Sequence, residues 1–258
     1  MRPTGRFVTS GVIALREVGT TLGIRSNCFG WLVFISITLF LIPCPFAGAQ
    51  SYPFGVGAFT LPQGPVAIAS GDFNGDGRID FAVADGNGVS ILLGNPDGSF
   101  AAGVDYSVGG VAPTGLAVGD VNGDGKLDLI VVAGEVAILL GNGDGTFQAP
   151  TIVPNVSGTA VAAGDFNKDG KLDLAIATGS NGPAVWILLG NGNGTFGAGV
   201  DYPTVGSFSV IIGDFNGDGN PDLAVGNAYS GGGGDEISIL LGKGDGTFKP
   251  VMGRCRLR

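Results

Sequence analysis

Asp72-Phe73-Asn74-Gly75-Asp76-Gly77-Arg78-Ile79-Asp80 sets oxygen-bearing side chains at positions 1, 3, 5 and 9 of a short stretch, and the same spacing begins again at Asp120, Asp165 and Asp214. The further copies offer Asp120, Asn122, Asp124 and Asp128; Asp165, Asn167, Asp169 and Asp173; and Asp214, Asn216, Asp218 and Asp222. Alternating carboxylates and amides on one loop suit a hard cation, since calcium takes about six to eight oxygens at about 2.3–2.6 Å. Position 7 is Arg78, Lys126, Lys171 or Asn220, a variety that fits a ligand supplied only by the backbone carbonyl. Position 6 is always glycine (Gly77, Gly125, Gly170, Gly219), which permits the positive φ of a sharp turn around an ion. The expectation is one calcium ion in each of four loops.

Asn-Gly and Asp-Gly pairs also mark ordinary surface turns. Recurrence argues against that reading, because three carboxylates in one loop repel by about 4 kcal/mol per close pair at an effective dielectric near 20. An EF-hand opens in the same way but needs a bidentate Glu at position 12 and flanking helices. Position 12 here is Val83, Val131, Ile176 or Val225, so the loops belong between strands.

The elements that must hold the loops are legible from the runs around them. After each loop comes an apolar run (79–84, 127–132, 172–177, 223–225), then Ile91-Leu92-Leu93-Gly94, Ile138-Leu139-Leu140-Gly141, Ile187-Leu188-Leu189-Gly190 or Ile239-Leu240-Leu241-Gly242. Continuous apolar runs of this length predict strands covered on both faces. A turn such as Asn142-Gly143-Asp144-Gly145 leads into a more polar strand at Phe100, Phe147, Phe196 and Phe248, and a further strand precedes each loop (66–69, 116–118, 161–163, 210–212). The loops start 48, 45 and 49 residues apart. Four strands in a period of about 40–50 residues predict an all-β chain, a β-propeller of four-stranded antiparallel blades.

Composition agrees: 50 of 258 residues are Gly and 14% are charged. There is no His, which removes the Ser-His-Asp triad and imidazole-bound zinc. Residues 1–49 read as an export signal, with Arg2, Arg6, Arg16 and Arg25, the apolar run 31–42, and Ala47-Gly48-Ala49 before Gln50. A lipid attached at Cys44 or an uncleaved anchor are the other readings of this segment. Without it the net charge is −12, and twelve acids occupy loop positions 1, 5 and 9. The acidity is site chemistry; nothing points to nucleic acid or to a membrane span after cleavage. Cys255 then stands alone, and metal loops take the stapling role of disulfides.

The Asp-x-Asn-x-Asp-Gly-x-x-Asp loops, the Gly-Asp-Phe-Asn leads at Gly71, Gly164 and Gly213, and the Gly-Thr-Phe-Gly-Ala-Gly ending at Gly194 resemble FG-GAP repeats of the VCBS type. The resemblance covers residues 50–250, leaving 251–258 as a basic tail, and implies a calcium-binding propeller like that of integrin α chains. Val121 for Phe, Lys168 for Gly and Pro221 after Asn220 depart from the pattern without removing a ligand. Propellers of this family usually close with seven blades, and four repeats are visible. Three arrangements remain: a small closed ring, a partial propeller that self-associates, or a truncated one. In the ring, Phe54-Gly55-Val56-Gly57-Ala58-Phe59 would complete the last blade.

The expected function is a secreted or cell-surface, non-enzymatic adhesion or binding module with a protein or glycan ligand. The alternative is the propeller portion of a glycan-active lyase or hydrolase, for which Asp235-Glu236 is the best acid pair. Tyr106 and Tyr202 could stack on sugars, although packing against a neighbouring blade is the commoner role of such aromatics. Trp186 reads as core.

Overall fold

The computed structural model describes residues 31–35, 38–42, 64–109, 111–179, 184–204, 206–227 and 236–256. The chain divides into two units, residues 1–58 and 59–258. In the first unit, β1 (Trp31–Ile35) and β2 (Thr38–Ile42) pair antiparallel from Trp31↔Ile42 to Ile35↔Thr38. Within the apolar run 31–42 the described residues are therefore two paired strands, while Ala47-Gly48-Ala49 lies outside the described residues. Among the described residues no helix is long and apolar enough to cross a membrane.

The second unit contains four sheets of four antiparallel strands, each in sequence order. The first blade is β3 (Ala67–Gly71), β4 (Asp80–Asp85), β5 (Gly88–Leu92) and β6 (Val104–Tyr106). The second is β7 (Gly115–Gly119), β8 (Asp128–Ala133), β9 (Glu135–Leu139) and β10 (Thr151–Ser157). Then come β11 (Ala160–Gly164), β12 (Asp173–Ala177), β13 (Ala184–Leu188) and β14 (Val200–Pro203), followed by β15 (Ser207–Gly213), β16 (Asp222–Asn227), β17 (Glu236–Gly242) and β18 (Phe248–Arg256). The outer strands start later than the aromatics suggested, because Phe100, Phe147 and Phe196 make single bridges to Gly94, Gly141 and Gly190 before regular pairing resumes.

Burial explains the continuous apolar runs. Successive strand residues point to opposite faces, yet every residue of β8 is buried. Leu129 and Val131 pack with Ala82 and Ile91 of the first blade, whereas Ile130 and Val132 pack with Val161 and Leu174 of the third. A third cluster, including Ala175, Ile187, Leu223 and Val225, joins the third blade to the fourth.

No core cluster joins the fourth blade to the first among the described residues. The sheets form an open, partial propeller, which corrects the small closed ring: closure would bury Ile68 and Ile79 at one end and Ile211 and Phe215 at the other, and all four are exposed. The fourth blade's outer place is also filled differently from the expectation. Strand β18 pairs with β17 from Gly242↔Phe248 to Glu236↔Arg256, so the repeat completes itself and most of the basic tail is strand. A tight hairpin closes a short loop at little entropic cost, whereas the distant segment 54–59, outside the described residues, would close a long one.

Candidate metal centre

All four loops join the first strand of a blade to its second, so they share one end of the sheet stack. At position 1, Asp72 accepts from Gly75 N (2.8 Å) and Asp76 N (3.1 Å) through Oδ1, and from Gly77 N (2.8 Å) through Oδ2. Asp120 and Asp214 accept the same three amides of their own loops, and Asp165 accepts from Asp169 N and Gly170 N. At position 3, Asn74, Asn122, Asn167 and Asn216 each accept from the amide two residues on. At position 5, Asp76, Asp124, Asp169 and Asp218 do likewise with the amides of Arg78, Lys126, Lys171 and Asn220.

Such bonds are possible because the loop curls with positive φ at positions 4 and 6, for example +72° at Gly75 and +80° at Gly77. Lys168 occupies position 4 of the third loop and still takes φ of 59°. A non-glycine side chain there costs about 1–2 kcal/mol.

Position 9 is built differently. Asp80, Asp128, Asp173 and Asp222 are fully buried. Asp128 Oδ2 accepts from Val121 N at 2.9 Å and Oδ1 from Gly141 N at 2.7 Å; the other three bridge the same two places in their blades. The glycine at the end of each Ile-Leu-Leu-Gly run makes this approach possible. A Cβ at Gly94, Gly141, Gly190 or Gly242 would lie 2.4, 2.1, 2.1 or 2.1 Å from the carbonyl oxygen of loop position 8.

Electrostatics divides the carboxylates in the same way. Burial pushes Asp128 and Asp173 above the usual carboxylate range, with the charges of position-1 and position-5 aspartates adding to the rise. The Gly77 amide, followed by those of Asp76 and Gly75, holds Asp72 below it. Asp218 is lowered by the Asn220 amide, with a smaller contribution from Lys168 of the preceding loop. The position-7 side chains turn back onto position 5: Arg78 pairs with Asp76, Lys126 with Asp124 at 3.9 Å, and Lys171 with Asp169 at 3.8 Å.

The donor set is therefore oxygen only, and each loop gathers three carboxylates around a curled backbone. Among the described residues no three acidic side chains stand converged on a metal position, because their oxygens face the loop's own amides. Position-1 Oδ1 already accepts two amides in three of the loops, so an arriving cation would draw the oxygens of positions 1, 3 and 5 away from those amides, around a position 9 held by the blade. The residues fit a hard divalent ion.

Other sequence expectations fare as follows. Tyr106 and Tyr202 pack against the next blade: their hydroxyls accept from Phe147 N and Phe248 N at 3.1 Å, and their rings meet those phenylalanines edge-on at 5.7 and 5.5 Å. Trp186 packs beside the core of the second and third blades. Asp235 lies outside the described residues. A link that the spacing did not reveal runs between blades, where Gly145 N, Gly194 N and Gly246 N donate to the carbonyls of Phe73, Val121 and Phe166 at 2.9, 3.0 and 3.0 Å. Its only sequence trace is the recurrent Gly before Thr-Phe.

Fold and loops together define a repeat-built, open β-propeller with an acidic loop in each blade. Residues 72–131, 132–176 and 165–225 match the FG-GAP-like repeat, and the chain belongs to that family. No curated protein matches it. Among solved structures, an Agrocybe aegerita lectin that recognises non-reducing terminal N-acetylglucosamine is 24% identical over 72% of this chain and 51% of its own, with a TM-score of 0.52. BBS1N, solved in complex with ARL6DN, is 14% identical over 75% of this chain and 57% of its own, also at 0.52. The V. cholerae biofilm matrix protein Bap1 is 20% identical over 72% of this chain and 28% of its own, at 0.46. The first two likenesses bear on the fold, and this chain spans about half the length of those structures.

Proposed function

We propose that this chain is an exported, non-enzymatic scaffold whose four loops bind calcium and whose propeller surface binds a protein or glycan ligand. The observation that carries the calcium reading is the repeated loop geometry, with a buried carboxylate at position 9 and exposed oxygens at positions 1, 3 and 5 on one curled backbone. When bound, the ion would supply charge neutralisation and cross-linking of the loop. Asp120, Asn122, Asp124 and Asp128, the carbonyl of Lys126, and their counterparts in the other loops would hold it. Position 9 would tie the ion to the blade through Val121 and Gly141, so occupancy would stiffen the sheet as well as the loop.

The experiment is calorimetric titration of the chelator-treated chain with calcium, followed by thermal unfolding. Ion at about 100 times Kd is expected to add about 2.7 kcal/mol per site when the unfolded chain binds none. Absence of binding heat together with an unchanged melting temperature would remove the calcium reading. For the ligand, a glycan array that includes terminal N-acetylglucosamine, suggested by the lectin-like fold, and a protein array give the direct measurement. Turnover of a polysaccharide by the wild-type chain, lost on Glu236→Gln, would replace the binding role with an enzymatic one.

A further inference from the structure

The fourth blade ends the stack on a face made like the three that are packed. At loop position 2, Phe73, Val121 and Phe166 are covered by the next blade, with Phe73 edge-on to Phe147 at 5.5 Å and Phe166 edge-on to Phe248 at 5.4 Å. Their counterpart Phe215 is 48% exposed, against 1% for Phe166. Its ring lies back over Gly213, where a Cβ would stand 2.9 Å from it. Phe73 and Phe166 lie over Gly71 and Gly164 in the same way, but there, and at Gly119, a side chain of the following blade also enters the space, through Leu127, Ile212 and Leu172, whereas the nearest atoms at Gly213 all belong to Phe215. Ile211 and Ile237 continue the open face; Ile211 is 58% exposed, while its counterparts Ala117 and Ala162 pack into the internal interfaces.

The first blade carries the other half of the same joint. Ile79 is its counterpart of Leu127 and Leu172 and is 57% exposed. Ile68, which pairs with Val83 as Val210 pairs with Val225, is 64% exposed where Val210 is 6%. The Gly98 amide, equivalent to the three that reach across to a preceding blade, donates to Asn95 O of its own turn at 3.0 Å. Val83 and Leu92 in the middle of this face are already buried, so the free portion is the inner strand and the loop exit.

We propose that two copies of this chain join head to tail. The fourth blade's Ile211, Phe215 and Ile237 would seat on the first blade's Ile68 and Ile79, and Gly98 N would turn to the Phe215 carbonyl. The three internal interfaces name the occupant, because each is this same pair of surfaces, and one chain presents both halves at opposite ends. Such a contact is heterologous, which builds a ring where the rotation between copies closes and a filament where it does not; the ring proposed closes with two copies. Two sets of four blades fall within the range of about four to eight blades that propellers form.

The test is sedimentation velocity of the full chain, in calcium and in chelator, with the variants Phe215→Glu and Ile79→Glu. The wild-type chain is expected at twice the single-chain mass and each variant at the single-chain mass. An equimolar mixture of the two variants is expected to recover the double mass, because one untouched contact remains between them, a result that general destabilisation would not produce. If either variant melts far below wild type, Ile211→Ser and Ile68→Ser serve as the milder pair. A wild-type chain sedimenting as one copy, or as three or more, overturns the proposal, as does a mixture that fails to recover. Calcium binding is read separately, so a two-copy mass without calcium binding retains this joint while removing the metal reading.

Discussion

Asp128 Oδ2 accepts the amide hydrogen of Val121 at 2.9 Å, tying the last acidic position of a loop to a residue seven places back that packs against the next blade. The same carboxylate holds Gly141 through its other oxygen. One buried side chain thus joins the loop, the end of the third strand and the inter-blade core.

Asp128→Ala would leave the Val121 and Gly141 amides without acceptors, at about 1–3 kcal/mol for each buried donor. The loss is expected in chelator as well as in calcium. Asp124→Asn changes an exposed side chain and is expected to alter stability in chelator by no more than about 0.5 kcal/mol, while removing one calcium from the titration. Urea unfolding of both variants, with and without metal, separates the two roles. Equal losses in chelator would refute them.

Gly190→Ala would bring a methyl group to 2.1 Å from the Leu172 carbonyl oxygen and pull the Gly190 amide away from Asp173. Overpacking of this kind costs about 1–3 kcal/mol. A lowered urea midpoint with an unchanged m-value is the expected reading.

Tyr202→Phe keeps the edge-on contact with Phe248 but removes the hydroxyl that accepts from its amide. The expected cost is about 0.5–1.5 kcal/mol, and Tyr106→Phe should behave alike at Phe147. The two sites lie in different interfaces, so the double variant should lose the sum.

The two kinds of carboxylate predict a pH profile for the metal-free chain. Asp72 and Asp218 are lowered, so their contribution is present above the unfolded value and is lost as pH falls through the folded one. Asp128 and Asp173 are raised, so the folded state holds their protons more firmly and loses stability as pH rises through the raised values. In chelator the melting temperature should rise from strong acid to the ordinary carboxylate range, then fall towards neutral pH. Calcium should abolish that fall. Scanning calorimetry across this range is the check, and a metal-free profile rising steadily to neutral would contradict it.

The blade was readable in the chain because both of its signals are local. Oxygen side chains at alternate loop positions, and apolar runs such as 127–132, need only near neighbours to have meaning. Even so, spacing alone made Asp80, Asp128, Asp173 and Asp222 look like their loop partners. Their burial and their bonds to Gly94, Gly141, Gly190 and Gly242 depend on residues 13 to 20 places away.

Linear order determined the repeat, its strands and the donor chemistry, since each follows from residue type and short-range periodicity. Tertiary structure decided that the stack stays open, that Tyr106 and Tyr202 serve the neighbouring blade, and that residues 248–256 finish the last sheet. These outcomes rest on which faces meet. A face carries the same residues whether it is covered or bare, so only the packed arrangement distinguishes Phe166 from Phe215.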